Sequence, residues 1–297
     1  MNSQAHNTGS GNDVPFIHPD TIQFREYKLL LRSSHFVKGS HFHKFWKITR
    51  HAANGLGVPL RKRGKEMETH LREVLFFDTP LHFRLYNSNF ILRRRTFYKH
   101  GKPQPNHELT LKFRHPDREV AEAVDVRPLL PCENTVKFKE EVLLPRDKIG
   151  GMRFIYSHGC ELDTPNTILS QSFESILQVF PALQRTGTKR ETALTVVNNI
   201  MIEEVLVNMG ELDFGGRMLA KATLAIWRNR VTQEHLLGEY SYQIKFPALE
   251  TLRDKPRELS EAFFLKLQES AAEWIEIGTT KTALVYSLGR TAIRNHE

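Results

Sequence analysis

Residues 73–114 read EVLFFDTPLHFRLYNSNFILRRRTFYKHGKPQPNHELTLKFR, and their pattern decides the fold. Three runs of mixed apolar and charged residues are separated by turn signals. Asp78, Thr79 and Pro80 end the first run, and residues 99–106 (KHGKPQPN) divide the second from the third. Side chains on a strand alternate between its two faces, so a period of two marks a half-buried strand. In the second run Ile91, Arg93 and Arg95 share a face. In the third, Glu108, Thr110, Lys112 and Arg114 share one face, and Leu109, Leu111 and Phe113 share the other. The apolar side of such a strand needs a core. The charged side needs water or a charged ligand. Repeated alternation of this kind predicts an antiparallel sheet, because parallel strands covered on both faces read as continuous apolar runs.

The surrounding chain repeats the pattern. Residues 23–31 (QFREYKLLL) form a predicted strand with Phe24, Glu26 and Lys28 on one face. Strands are also predicted over 120–126, 135–144, 186–197, 202–210, 219–227 and 237–246. Over 135–144, Lys137, Lys139 and Glu141 share a face. Helical spacing predicts helices over 36–53, 167–180 and 259–275, and residues 145–166 read as an irregular connection. Residues 1–20, rich in Asn, Ser, Gly and His, read as a disordered leader before a single domain over 21–297.

Composition narrows the function. The 297 residues are 40% hydrophobic, enough for a sizeable core, and carry a formal charge of +8. That balance favours an anionic partner, phosphate-rich or nucleic acid. Cys132 and Cys160 show no CxxC spacing, so a zinc site or a disulfide framework is not expected, and a reducing compartment is the default. No apolar run approaches the ~20 residues that span a membrane. With no signal peptide legible either, a cytoplasmic location is the expectation. His35, His41, His43 and His51 lack a carboxylate or cysteine at ligand spacing and read as helix-face residues. No RNP, KH or helix-turn-helix signature appears, and no G-x-S-x-G elbow.

The ordered run FDTP…LRRR…ELTLK, at 77–80, 92–95 and 108–112, resembles the CYTH superfamily, the triphosphate tunnel metalloenzymes. The resemblance spans roughly residues 22–290 and is clearest in the first half. It implies an α+β fold in which eight antiparallel strands close into a tunnel with helices outside. It implies phosphate-binding roles for Lys28, Arg93, Arg95, Lys112, Lys189, Arg190 and Lys281. It implies Glu26, Glu204 and Glu239 as ligands for Mg²⁺ or Mn²⁺. The chain departs from the family where Phe24, Asn208, Ser241 and Gln243 stand at acidic positions. Asp213, five residues beyond Asn208, is a candidate substitute.

Gripping triphosphate needs several Arg and Lys aimed at one lumen, since charge-assisted bonds to phosphate oxygens are the strong ones. The resemblance implies a metal-dependent phosphohydrolase or phosphotransferase acting on a triphosphate or polyphosphate, with a reduced acidic site. A non-catalytic binder of polyphosphate, nucleotide or RNA 5′-triphosphate ends is the alternative, and a polyphosphate polymerase-like protein is a third reading. Oligomeric state is not legible in the sequence.

Overall fold

The computed structural model describes residues 20–61, 69–165 and 172–288. The expected leader over 1–20 lies outside them except for Asp20, as does the start of the helix expected over 167–180. The strands are β1 (Phe24–Leu31), β2 (Leu60–Arg61), β3 (Thr69–Asp78), β4 (Phe90–Lys99), β5 (Lys102–His115), β6 (Asn134–Leu143), β7 (Arg153–Pro165), β8 (Thr195–Val196), β9 (Ile202–Asp213), β10 (Leu219–Asn229) and β11 (His235–Lys245). The α-helices are α1 (Ser40–Gly55), α2 (Arg84–Asn87), α3 (Arg118–Glu122), α4 (Phe173–Val179), α5 (Asp254–Ser270) and α6 (Lys281–Ser287).

Nine strands close into a barrel in the order β1–β6–β7–β5–β4–β3–β9–β10–β11, with β11 returning to β1. The α+β class and the closed barrel match the expectation. Two details correct it: the barrel has nine strands rather than eight, and β1 pairs with β6 in parallel. At about this strand number a barrel is only wide enough for side chains or one small ligand to fill it. Long Arg, Lys and Glu side chains occupy this one.

Three segments depart from their sequence reading. Residues 145–166, expected to be irregular, contain β7, hydrogen-bonded between β5 and β6. Its sequence RFIYSHGCELDTP hides a strand because Ser157, His158 and Cys160 are all buried, so polarity does not alternate. Residues 120–126, expected as a strand, begin in α3, which starts because the Asp117 carboxylate accepts from the Glu119 and Val120 amides at 2.8 and 3.3 Å. Residues 186–197 hold only the two-residue β8, and left-handed backbone at Asn198 and Asn199 ends any extension.

The apolar core lies outside the barrel wall, between the strands and the helices. Tyr27, Leu29 and Leu31 of β1 face it, as do Ala222, Leu224 and Ile226 of β10. Tyr27 and Tyr242 stack with ring centroids 4.5 Å apart. Both hydroxyls reach Ser260 on α5, at 2.7 Å each, which satisfies polar groups that would be costly to bury unpaired. Because alternation fixes sides, seating the greasy faces on α1 and α5 turns the charged faces inward.

The FDTP turn is fixed by hydrogen bonds to its carboxylate. Asp78 Oδ1 accepts from the Thr79 and Leu85 amides at 2.6 and 3.0 Å, and Oδ2 from the Tyr86 amide at 2.9 Å. Tyr286 of α6 donates its hydroxyl to the same Oδ2 at 3.2 Å and stacks on Tyr86 at 4.1 Å. One buried carboxylate thus ties β3, α2 and α6 together. Among the described residues no helix is long and apolar enough to cross a membrane.

Candidate anion-binding tunnel

The barrel interior holds a cavity of about 1050 Å³, its open mouth included. Among the described residues, nine basic side chains line it against five acidic ones. β1 supplies Glu26 and Lys28, β4 supplies Arg93 and Arg95, and β5 supplies Lys112 and Arg114. β6 adds Lys139 and Glu141, β7 adds Glu161, β11 adds Glu239, and Lys281 enters from the start of α6. Five of the seven predicted phosphate ligands therefore converge: Lys28, Arg93, Arg95, Lys112 and Lys281. Lys189 and Arg190 do not. Both are exposed, on the turn before β8, and Arg190 pairs outside the barrel with Glu174 at 3.6 Å. The strand expected there is absent, so nothing aims them inward.

The interior charges form linked clusters. Glu141, whose side chain is 1% exposed, faces Lys28 at 2.9 Å, Arg114 at 3.2 Å and Lys112 at 3.4 Å, and accepts from Ser157 at 2.7 Å. Burial pushes its carboxyl up, but Arg114, Lys28 and Lys112 outweigh that and hold it well below the usual range. Lys112 is driven the other way. Burial depresses its ammonium, and Arg114, Lys28 and Lys139 add to this against the pull of Glu141.

Glu108 carries β4's arginines, at 2.9 Å from Arg95 and 3.5 Å from Arg93. Burial would raise its pKa, yet Arg95 and Arg93 bring it down to about 2. Arg93 Nε and Arg95 Nε are buried with no hydrogen-bond partner. Buried polar groups without a partner are rare in folded proteins, and these two leave donors that Glu108 does not use.

The positions where the family's acids are replaced have acquired other partners. Lys139 lies 5.4 Å from the Phe24 ring, and Lys245 lies 5.7 Å from it, so an aromatic face meets two ammonium groups where a carboxylate was expected. Gln243 accepts from Lys139 at 2.6 Å. Ser241 hydrogen-bonds Thr223 at 3.0 Å. Asn208 Oδ1 accepts from the Gly210 amide at 3.0 Å, beside a register shift between β9 and β10. Gly210 has φ +92, and a Cβ there would sit 2.5 Å from the Arg61 carbonyl, so only glycine fits. Asp213 pairs with Arg61 at 2.5 Å and offers no substitute acid to the lumen cluster.

Glu26, Glu204 and Glu239 do not form the expected metal trio. Glu26 sits 3.1 Å from Lys139 and 3.4 Å from Lys28. Glu204 and Glu239 instead share Lys281, at 3.5 and 2.7 Å. Among the described residues no three His, Cys, Asp or Glu side chains gather as an ion site. Mg²⁺ and Mn²⁺ want several oxygen donors in near-octahedral array. Here all three acids have ammonium neighbours, and Glu204 is also held by Arg72, so the set as it stands does not fit a divalent ion.

Sequence parity also contained residues that the site reading passed over. Arg114 shares the face of Lys112, and Lys139 and Glu141 share a face of β6, so the alternation rule already pointed them inward. Glu161 carried no such signal, since β7 was not legible as a strand.

No family model and no curated protein matches the chain. Solved structures do. A Hippeastrum protein provisionally named an adenylyl cyclase, and described as having a dominant triphosphatase activity, is 15% identical, with 93% of this chain and 100% of that one covered at a TM-score of 0.42. A protein from Pyrococcus horikoshii is 9% identical, covering 89% and 99% at 0.37. A provisionally named adenylate cyclase from Bacillus halodurans is 14% identical, covering 82% and 91% at 0.35. The chain resembles the triphosphate tunnel superfamily. That resemblance rests on the order of its motifs and on the closed barrel, and at these identities and scores the solved structures add nothing about activity.

Proposed function

We propose that the tunnel binds a linear triphosphate or a longer polyphosphate chain. One observation carries this: among the described residues, nine basic side chains against five acidic ones line one open-mouthed cavity. Burial depresses Lys112 and Arg93 first, and the cations around each add to it: Arg114, Lys28 and Lys139 at Lys112, and Arg95 at Arg93. A multiply charged anion relieves it. Arg93 and Arg95 offer planar donor forks suited to phosphate, and their buried Nε groups supply donors that Glu108 leaves unused. Lys28, Lys112 and Arg114 converge from neighbouring strands around Glu141, which sets their spacing while neutralising part of their charge.

Hydrolysis or transfer of the terminal phosphoryl group is the second reading. The retention of Glu26 on β1 and Glu239 on β11, beside the FDTP…LRRR…ELTLK run, favours it. In phosphoryl transfer most of the protein's contribution is positioning and charge stabilisation, and the arginines and lysines of β1, β4 and β5 are placed for both. Binding is tested by calorimetry with tripolyphosphate and with polyphosphate of defined length. Catalysis is tested by phosphate release from triphosphate, polyphosphate, ATP, GTP and thiamine triphosphate, each with Mg²⁺, with Mn²⁺ and with chelator. A protein that neither binds nor cleaves any of these has a different ligand.

A further inference from the structure

Lys281 is the first residue of α6, and its side chain is 17% exposed. Its ammonium lies 2.7 Å from Glu239 Oε1 and 3.5 Å from Glu204 Oε1. It also sits 4.7 Å from the Trp227 ring centroid, over the indole face. Trp227 turns its Nε1–H to the same Glu204 Oε1 at 2.8 Å, and Arg72 binds Glu204 Oε2 at 2.7 Å. Glu204 is 1% exposed, so it is ionised only because cations surround it. Burial would raise its pKa, and Arg72, Lys281 and Arg95 more than reverse that.

The helix that carries Lys281 is held in place from behind. Thr280 caps α6 by accepting from the Ala283 amide at 3.1 Å. Asn198 donates to the Val285 carbonyl at 2.8 Å, and Tyr286 is pinned to Asp78 and Tyr86. With its backbone anchored and its ammonium between Glu239, Glu204 and the Trp227 ring, Lys281 is a partly buried, paired lysine rather than a surface one. A point charge joining two inward carboxylates does what a divalent ion does in an acidic site. An ion placed there would also face Arg72 and Lys281 at close range, and like charges in a buried site are costly.

We propose that Lys281 takes the place of a divalent ion in this tunnel. Its ammonium supplies from the chain itself the charge that joins Glu204 to Glu239, so the tunnel takes up its phosphate chain without Mg²⁺ or Mn²⁺. Removing that ammonium uncovers a divalent-cation site. The phosphate half of this statement rests on the function proposed above, and the cation half does not.

The test is a Mn²⁺ titration of the full chain without phosphate, read by the loss of the free-ion paramagnetic resonance signal. Wild type is expected to take up no Mn²⁺ specifically, and Lys281→Met is expected to bind it at least about tenfold more tightly. The gain should vanish in Lys281→Met with Glu239→Gln. Wild-type Mn²⁺ binding that Glu239→Gln abolishes overturns the proposal, and so does a folded Lys281→Met that gains nothing. Should Lys281→Met fail to fold by circular dichroism, the wild-type titration still decides. A second readout is wild-type affinity for tripolyphosphate, expected to agree within about threefold between chelator and Mg²⁺ once the Mg²⁺ complex in solution is accounted for. A tenfold or larger loss in chelator, at about 1.4 kcal/mol per factor of ten, overturns the proposal. Failure to bind tripolyphosphate under either condition removes the phosphate reading, while the Mn²⁺ titration still decides the role of Lys281.

Discussion

Glu141 Oε2 lies 2.9 Å from Lys28 Nζ across the parallel pair of β1 and β6. Lys112 and Arg114 converge on the same carboxylate from β5, so one acid holds three cations from two other strands. Glu141→Gln removes the charge and keeps the shape. Breaking a buried pair by removing one partner typically costs about 3–5 kcal/mol, because the other charges stay buried. The variant is expected to lose stability on that scale in denaturant unfolding, and tripolyphosphate is expected to restore more stability to it than to wild type. An unchanged midpoint would show that Glu141 does not balance the cluster.

Acid should act on the same residues. The folded pKa values of Glu141 and Glu108 lie below the unfolded carboxylate value of 4.5, that of Glu108 at about 2. A depressed acid contributes stability that is complete above its unfolded pKa and is lost as pH falls through the folded one. Thermal midpoints should therefore fall steeply between pH 4.5 and about 2. In Glu108→Gln part of that slope should be missing, and an identical pH profile would refute the assignment.

Arg93 and Arg95 stand two residues apart on one face of β4 with buried Nε donors unmatched. Binding only the folded state stabilises it by about 2.7 kcal/mol at a hundredfold excess over Kd. Wild type should gain stability of that size with tripolyphosphate, read as a rise in its thermal midpoint. Arg93→Ala with Arg95→Ala should abolish the shift while leaving a cooperative unfolding transition. A full ligand shift in the double variant would place the phosphate grip elsewhere.

Lys112 gives a pH-dependent signature. Burial and its cationic neighbours depress the free ammonium, and a bound anion raises it again. Binding should therefore take up protons, and affinity should rise as pH falls through the window between the bound and the free pKa. Calorimetry in buffers of different ionisation enthalpy reads the proton count. Lys112→Met should bind with less proton uptake than wild type. Equal counts would mean that Lys112 is charged throughout.

Asp78 separates architecture from binding. Its carboxylate accepts three backbone amides and the Tyr286 hydroxyl, all outside the basic cluster. Asp78→Ala should cost about 2–3 kcal/mol through lost capping and stranded buried donors. Because α6 carries Lys281, the folded variant should also lose tripolyphosphate affinity in step with loosening of α6, followed by hydrogen exchange at Val285 and Tyr286. Protection equal to wild type with lowered stability would confine Asp78 to the α2 turn.

The sequence alone determined which side of each alternating strand faced in. Period-two patterning placed Lys28, Arg93, Arg95 and Lys112 on charged faces, and burying the opposite faces in the outer apolar core left those charges only the lumen. It also determined the FDTP turn, since a carboxylate beside Thr-Pro is a local cap. Alternation failed at β7, where polar Ser157 and His158 are buried, and so Glu161 stayed hidden. It misled at 186–197, where a strand-like stretch packs as turns and leaves Lys189 and Arg190 outside. Only the tertiary structure decided who partners whom. Glu204 and Glu239 are 35 residues apart in sequence but share one ammonium, and Glu26 stands with Lys139 rather than with them. Such pairings depend on barrel register and on the docking of α6, which arise from packing between distant segments and leave no periodic trace in the chain.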